Sequence, residues 1–197
     1  PYDRHEPNRI AHPFYSSIHI DVWTICDTTA RLAVVGVLSQ LADVTQGAAG
    51  GRRSAVARPG PWRLSVLDSA DIREDRLALG PNGLRTIDVA STAWTEKRLL
   101  QPFDLLVTAR SQSVKVALVP ASITRTVASA TLLVVRVPNP GSGVAHYLWY
   151  YFTSRRGRAA IEGRITRGMT IPTLSARALA AVPVPLPPAR EFAAFAR

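Results

Sequence analysis

The chain has 197 residues, 47% of them hydrophobic and 19% charged, which is enough apolar material for one sizeable core and argues against wholesale disorder. No apolar run approaches the roughly 18 residues of a membrane span, and a single cysteine, Cys26, excludes an internal disulfide framework. The 24 basic side chains outnumber the 14 acidic ones, a formal charge of +10, and this excess favours a polyanionic partner through counterion release from phosphates.

All but two of the cations, Lys97 and Lys115, are arginines. Arginine forks onto phosphate or onto the O6/N7 edge of guanine, although GC-rich coding would raise the arginine share as well. The first segment, residues 1–32, reads as an irregular arm of unknown role, with a strand-like alternation at Ile18, Ile20 and Val22. His5, His12 and His19 recur every seventh residue but lack Cys or carboxylate companions, so no metal site is expected. The N-terminal stretch carries no signal-peptide pattern, and the lone cysteine suits a reducing cytoplasm, the expected location.

A globular domain is expected over residues 33–188. Leu38, Leu41 and Val44 lead into the loop Gly47-Ala48-Ala49-Gly50-Gly51-Arg52-Arg53, which lacks the Gly-Lys-Ser/Thr of a nucleotide-binding loop. Trp62, Leu64 and Val66 alternate as a strand, and Asp68-Ser69-Ala70-Asp71 offers caps for a short helix or turn. Pro81-Asn82-Gly83 reads as a turn and residues 86–89 as a further strand. Residues 105–108, 114–119 and a long β-branched run over 126–137 complete the strand-rich part, stopped by Pro138-Asn139-Pro140-Gly141.

The period then changes. Residues 146–153 read as a helix opened near Ser142, interrupted by Ser154 and Gly157, with a second helix over 158–166 closed by Gly168. A short helix is expected at 173–179, a proline-containing edge strand at 182–186, and the start of another helix at 189–197. The aromatic run Tyr147, Trp149, Tyr150 and Tyr151 could stack bases, but core packing is the commoner use of such a run, and Trp62 and Trp94 read as structural too.

Four features occur in a telling order. Leu100-Gln101-Pro102-Phe103-Asp104-Leu105-Leu106-Val107-Thr108-Ala109-Arg110 is followed by Lys115-Val116-Ala117-Leu118-Val119. Tyr147-Leu148-Trp149-Tyr150-Tyr151-Phe152 comes next, then Gly168-Met169-Thr170-Ile171-Pro172-Thr173-Leu174-Ser175 running into Val182-Pro183-Val184-Pro185-Leu186-Pro187-Pro188. This succession resembles the target-recognition domain of type I restriction–modification specificity subunits over about residues 37–192, by its order and spacing more than by any one element.

The resemblance implies an α/β (α+β) domain with a twisted, mostly antiparallel sheet and flanking helices, and residues 189–197 as the start of a truncated spacer helix. It also implies sequence-specific recognition of double-stranded DNA as the specificity module of a phage-defence methyltransferase complex. Catalysis would reside in a partner methyltransferase (modification) subunit, with a restriction/translocase subunit as a further partner and a homodimer left open. S-adenosylmethionine and ATP would bind those partners, and no cofactor is expected here. Two departures stand out: only one recognition domain is present, and Phe103 occupies the place of a glycine, which questions the tightness of that turn.

Three basic clusters could meet DNA. Arg52, Arg53, Arg58 and Arg63 have no acid between them. Arg110, Ser111, Gln112 and Lys115 combine side chains suited to guanine and adenine. Arg155, Arg156, Arg158, Arg164 and Arg167 stand against Glu162 alone, as a DNA or partner surface. Asp104 has no second carboxylate near it, no adenine-methyltransferase motif surrounds Pro187-Pro188, and Cys26 reads as a small hydrophobe, so the chain is not expected to be an enzyme. The competing functions are a protein-interaction scaffold derived from a specificity subunit, and a non-specific or single-strand nucleic-acid binder.

Overall fold

Among residues described by the computed structural model (34–47, 60–78, 83–90, 93–167 and 171–195), the first strand is β1 (Val34–Val37) and the second β2 (Asp43–Gln46). Then come β3 (Trp62–Leu67), β4 (Ile72–Arg73), β5 (Arg76–Leu77) and β6 (Arg85–Val89), followed by helix α1 (Ala93–Lys97). Strands β7 (Leu105–Thr108), β8 (Val116–Leu118), β9 (Thr126–Ala128) and β10 (Leu132–Arg136) precede helices α2 (Val144–Thr153), α3 (Arg155–Glu162) and α4 (Ala176–Ala180). Strand β11 (Pro183–Leu186) and helix α5 (Ala189–Phe195) complete the order. The expected readings of residues 1–32 (the arm, its histidines and Cys26), of Arg52, Arg53 and Arg58, and of Gly168 lie outside the described residues.

The fold is mixed α/β and mostly antiparallel. A four-stranded sheet runs β2-β10-β7-β8, a three-stranded one β6-β3-β9, and β1 pairs with β11. The parallel pair is β3 with β9. Every residue of β7 is buried, as are Leu132, Leu133, Val134 and Val135 of β10, because the four-stranded sheet has a core on each face. That explains continuous apolar runs where alternation would otherwise appear. On one face Leu105, Val107, Leu133 and Val135 meet Leu148 and Phe152 of α2, with Ile161 and Leu179. On the other, Leu106, Ala117 and Val134 meet Leu67, Ile72 and Leu100.

The aromatic helix is a packing element. Tyr147 and Tyr151 are buried, and their hydroxyls donate to the carbonyls of Pro185 and Pro183 on β11. Phe192 and Phe195 of α5 set their edges against the Tyr147 ring, with centroids 5.3 Å away in each case. Trp62 is half-buried on β3.

Several boundaries differ from expectation for identifiable reasons. The 126–137 run is two strands, because Ser129, Ala130 and Thr131 form a turn closed by Leu132 N–H on the Ser129 carbonyl at 3.1 Å. The Ser129 and Thr131 hydroxyls bond at 2.6 Å, and that of Thr131 donates to Asp68 at 3.0 Å. Burial pushes the Asp68 carboxyl upward, but hydrogen bonds from Thr131, Ser69 and Ser129 outweigh it and hold the group below its ordinary range. Helix α3 begins at Arg155, not 158, since Ser154 is its N-cap and accepts from Gly157 N–H at 3.2 Å. Gly157 does not break the helix; a Cβ there would stand 2.0 Å from the Tyr151 carbonyl oxygen. The strand expected over 114–119 is paired only at Val116–Leu118, and the helix expected at 173–179 starts after Ser175, which caps it through Ala178 N–H at 3.1 Å.

The turn at Phe103 is tight. Gln101 N–H donates to Asp104 Oδ2 at 2.8 Å, and Phe103 takes the left-handed conformation at φ 67°, as a glycine would. Such a backbone costs a bulky residue about 1–2 kcal/mol, which the ring partly offsets by packing 5.1 Å from His146. The Asp104 carboxylate is buried and grips Arg136 with both oxygens, at 2.9 and 2.6 Å.

Candidate nucleic-acid interface

Arg110, Ser111, Gln112 and Lys115 lie in the loop from β7 to β8. The loop is fastened at its neck by buried Thr108, whose N–H donates to the Lys115 carbonyl at 3.1 Å and whose hydroxyl accepts from Lys115 N–H at 3.1 Å. Beyond that neck Arg110 and Gln112 are exposed, and Ser111 braces the loop by accepting from Ser113 N–H at 3.3 Å. Lys115 is half-buried and leans on the Ser69 carbonyl at 3.4 Å.

A second segment is sewn to this loop. Thr173 forms a bridge with Arg110 and another with Thr166, the latter through paired hydrogen bonds of 2.9 and 3.0 Å. Leu174 N–H donates to the Ala109 carbonyl at 2.8 Å. Thr173 thus stands between Arg110 and Thr166, which links the segment carrying Arg164 and Arg167, the end of the third expected cluster, to the second. Arg73, Arg110, Arg155, Arg164 and Arg167 are exposed and make no ion pair with a described residue.

Arg158 behaves differently. Its guanidinium donates to the Thr153 carbonyl at 3.2 Å, to that of Val114 at 2.9 Å, and to the Asp75 carboxylate. It is a clasp between α3, the basic loop and the β4–β5 hairpin. Arg63 is exposed on β3, opposite Asp88 of β6, and binds it through Nε at 2.9 Å and a second nitrogen at 3.3 Å. Arg155 and Arg156 open α3, where cations oppose the helix dipole, so their placement does nothing for helix stability.

The β4–β5 hairpin has no marker in the sequence. Its two tip residues, Glu74 and Asp75, are both left-handed, at φ 48° and 57°. Such turns normally use Asn-Gly or Asp-Gly, and the missing glycine removed the only local signal. Each residue carries on the order of 1 kcal/mol of backbone strain, held in place by three bonds to Asp75. One oxygen accepts from Val116 N–H at 3.1 Å, the other takes Arg158, and the backbone carbonyl accepts from the Trp149 indole at 3.1 Å. Arg73, Glu74 and Arg76 are left exposed.

The result is a basic rim built from the hairpin, the 109–115 loop, and residues 164–167 with their Thr173 bridge. A separate groove of about 260 Å³ lies between β2 and the end of α1, lined by Asp43, Gln46, Lys97, Arg98 and Arg136 among others. Its arginines are occupied: Arg98 donates to the Gln46 carbonyl at 2.8 Å and Arg136 binds Asp104. Among the described residues no group of three His, Cys, Asp or Glu side chains could hold a metal, and no helix is long and apolar enough to cross a membrane.

No family model matches the chain, and no curated protein does. Among solved structures it is similar to the S subunit of a type I restriction–modification system from M. genitalium, at 12% identity and a TM-score of 0.45, over 78% of this chain and 34% of that one. The HsdS subunit from Thermoanaerobacter tengcongensis is similar at 18% identity and a TM-score of 0.45, over 83% and 36%. A structure concerned with complex assembly and conformational transition of the type I restriction–modification system gives 17%, 0.48, 83% and 37%. The chain thus spans about a third of the length of each.

Proposed function

We propose that the chain is a target-recognition module that reads double-stranded DNA for a methyltransferase complex and does no catalysis itself. The observation that carries this reading is the rim: Arg73, Arg110, Arg164 and Arg167, from three chain segments tied together by backbone and side-chain bonds, are exposed and make no ion pair with a described residue, beside a loop offering Gln112 and Ser111. Guanidinium groups so placed can grip phosphate or fork onto guanine, and an amide suits adenine, so one surface combines positioning and readout. The order of sequence motifs supports the same assignment. Arg52, Arg53, Arg58 and Arg63 remain candidate DNA contacts. The modification subunit, and a restriction/translocase subunit beside it, are the proposed partners, in the cytoplasm.

The test is selection from a randomised duplex library at physiological salt, with and without a methyltransferase subunit. An enriched short motif is expected, and a mirrored pair at fixed spacing would mean that two copies assemble. Binding with no enrichment in either condition would overturn the assignment in favour of a basic scaffold.

A further inference from the structure

We infer that the tip of the β4–β5 hairpin reads a base, with the Glu74 carboxylate accepting a hydrogen bond from the exocyclic amino group of cytosine or adenine in the major groove. The inference rests on the DNA-reading function proposed above and names a specificity residue for it. Glu74 is exposed and forms no hydrogen bond or ion pair with a described residue. Two cations flank the tip: Arg73 and Arg76 are cross-strand partners on either side of Glu74-Asp75, and the Asp75 carboxylate is already taken by Arg158 and the Val116 N–H. Along such a rim a carboxylate is repelled by every phosphate the arginines attract. A donor offsets that repulsion, and the donors a duplex presents in its major groove are cytosine N4 and adenine N6.

The hairpin geometry agrees. A two-stranded ribbon fits the major groove, and the two tip carboxylates have divided roles. Asp75 faces inward, held by Val116, Arg158 and Trp149, and that fixation leaves Glu74 as the outward member. A reader gains from such fixation, since no ordering of the tip is left to be done on binding. Arg73 then serves as a neighbouring phosphate contact.

The experiment is duplex selection with the 197-residue chain and its Glu74→Gln, Glu74→Ala and Glu74→Gly variants, with melting temperatures in parallel. The parent is expected to show one motif column fixed as a C·G or A·T pair that Glu74→Ala releases, losing on the order of tenfold to a hundredfold discrimination there. Other columns stay as they are, and the salt dependence of affinity is unchanged. Glu74→Gln shifts that column towards adenine, which an amide contacts through N6 and N7. Glu74→Gly repeats the alanine result with a residue at ease in the left-handed conformation, which covers any misfolding of the alanine variant. A motif identical to the parent's in every column, or a uniform weakening across all columns, overturns the hairpin assignment while leaving DNA reading intact. A parent that enriches no motif overturns both.

Discussion

Arg136 and Arg158 lie inside the fold's girdle, whereas Arg110 and Arg167 lie on its rim, and the same side chain does opposite work in the two regions. In the girdle each guanidinium ends on a carboxylate and on backbone carbonyls: Arg136 on Asp104 and Leu99, Arg158 on Asp75, Val114 and Thr153. On the rim the chain spends its hydrogen bonds on positioning the backbone around Thr108 and Thr173 and leaves the guanidinium groups to solvent. Net charge is therefore a poor guide to a binding surface, and partner geometry is a better one. Arg158 was indistinguishable in sequence from its neighbours in the 155–167 cluster, yet it is an internal tie.

The contrast can be broken by substitution. The largest effect is expected from Arg136→Ala, which strands the buried Asp104 carboxylate and should cost about 3 kcal/mol, read as a drop in melting temperature on the order of 10 °C. A smaller loss, about 2 kcal/mol, is expected for Arg158→Ala, since Asp75 is less deeply buried and keeps its bond from Val116. That variant should also blur the DNA motif, because the hairpin loses its clasp; an unchanged motif would mean the tip needs no fixing. Arg110→Ala and Arg167→Ala should leave melting temperature alone. Each should reduce the slope of log affinity against log salt by about 1 if the residue neutralises a phosphate, and Arg110→Ala should relax one motif position if it reads a base. A melting shift as large as that of Arg158→Ala would place these residues in the girdle after all.

The smallest effect concerns His146. Its Nδ1 is buried without a hydrogen-bond partner among the described residues, and burial lowers the imidazole pKa below its usual value. The unfolded chain then binds a proton that the folded one refuses, so stability rises with pH between the lowered and ordinary values and falls on acidification through about 6.5. The melting temperature should therefore decline from pH 7.5 to 5.5, and less so in His146→Gln. Equal declines would assign the titration to other groups. The loss at Asp68 belongs to a lower window, since its carboxyl must be protonated below the ordinary 3.8.

What could be read from the residues alone divides along physical lines. Strands β3, β6 and β7 were legible from alternation or from apolar runs, and the aromatic helix from its period. The split of residues 126–137 was not, because a turn of Ser129, Ala130 and Thr131 sits within β-branched residues without glycine or proline. Gly157 looks like a helix breaker in the sequence, whereas its role is close approach to the Tyr151 carbonyl, which depends on how α2 and α3 pack. The rim was half legible: composition marked Arg110, Arg164 and Arg167, while the Thr173 bridge that unites them is a tertiary contact. The hairpin and its grip on Arg158 span 83 positions and had no local signature.

The pairing of β1 with β11 has a consequence for how such a unit could be passed between proteins. Val34 lies directly opposite Leu186 in that ladder, so the two ends of a 34–186 segment emerge side by side, about 5 Å apart. A host chain would need only a gap of that width to accept it, and neither end would have to be rerouted. Transplanted into a tolerant loop of an unrelated protein, the segment should carry its basic rim along as a cassette, with Tyr147 giving up the edge contacts of Phe192 and Phe195.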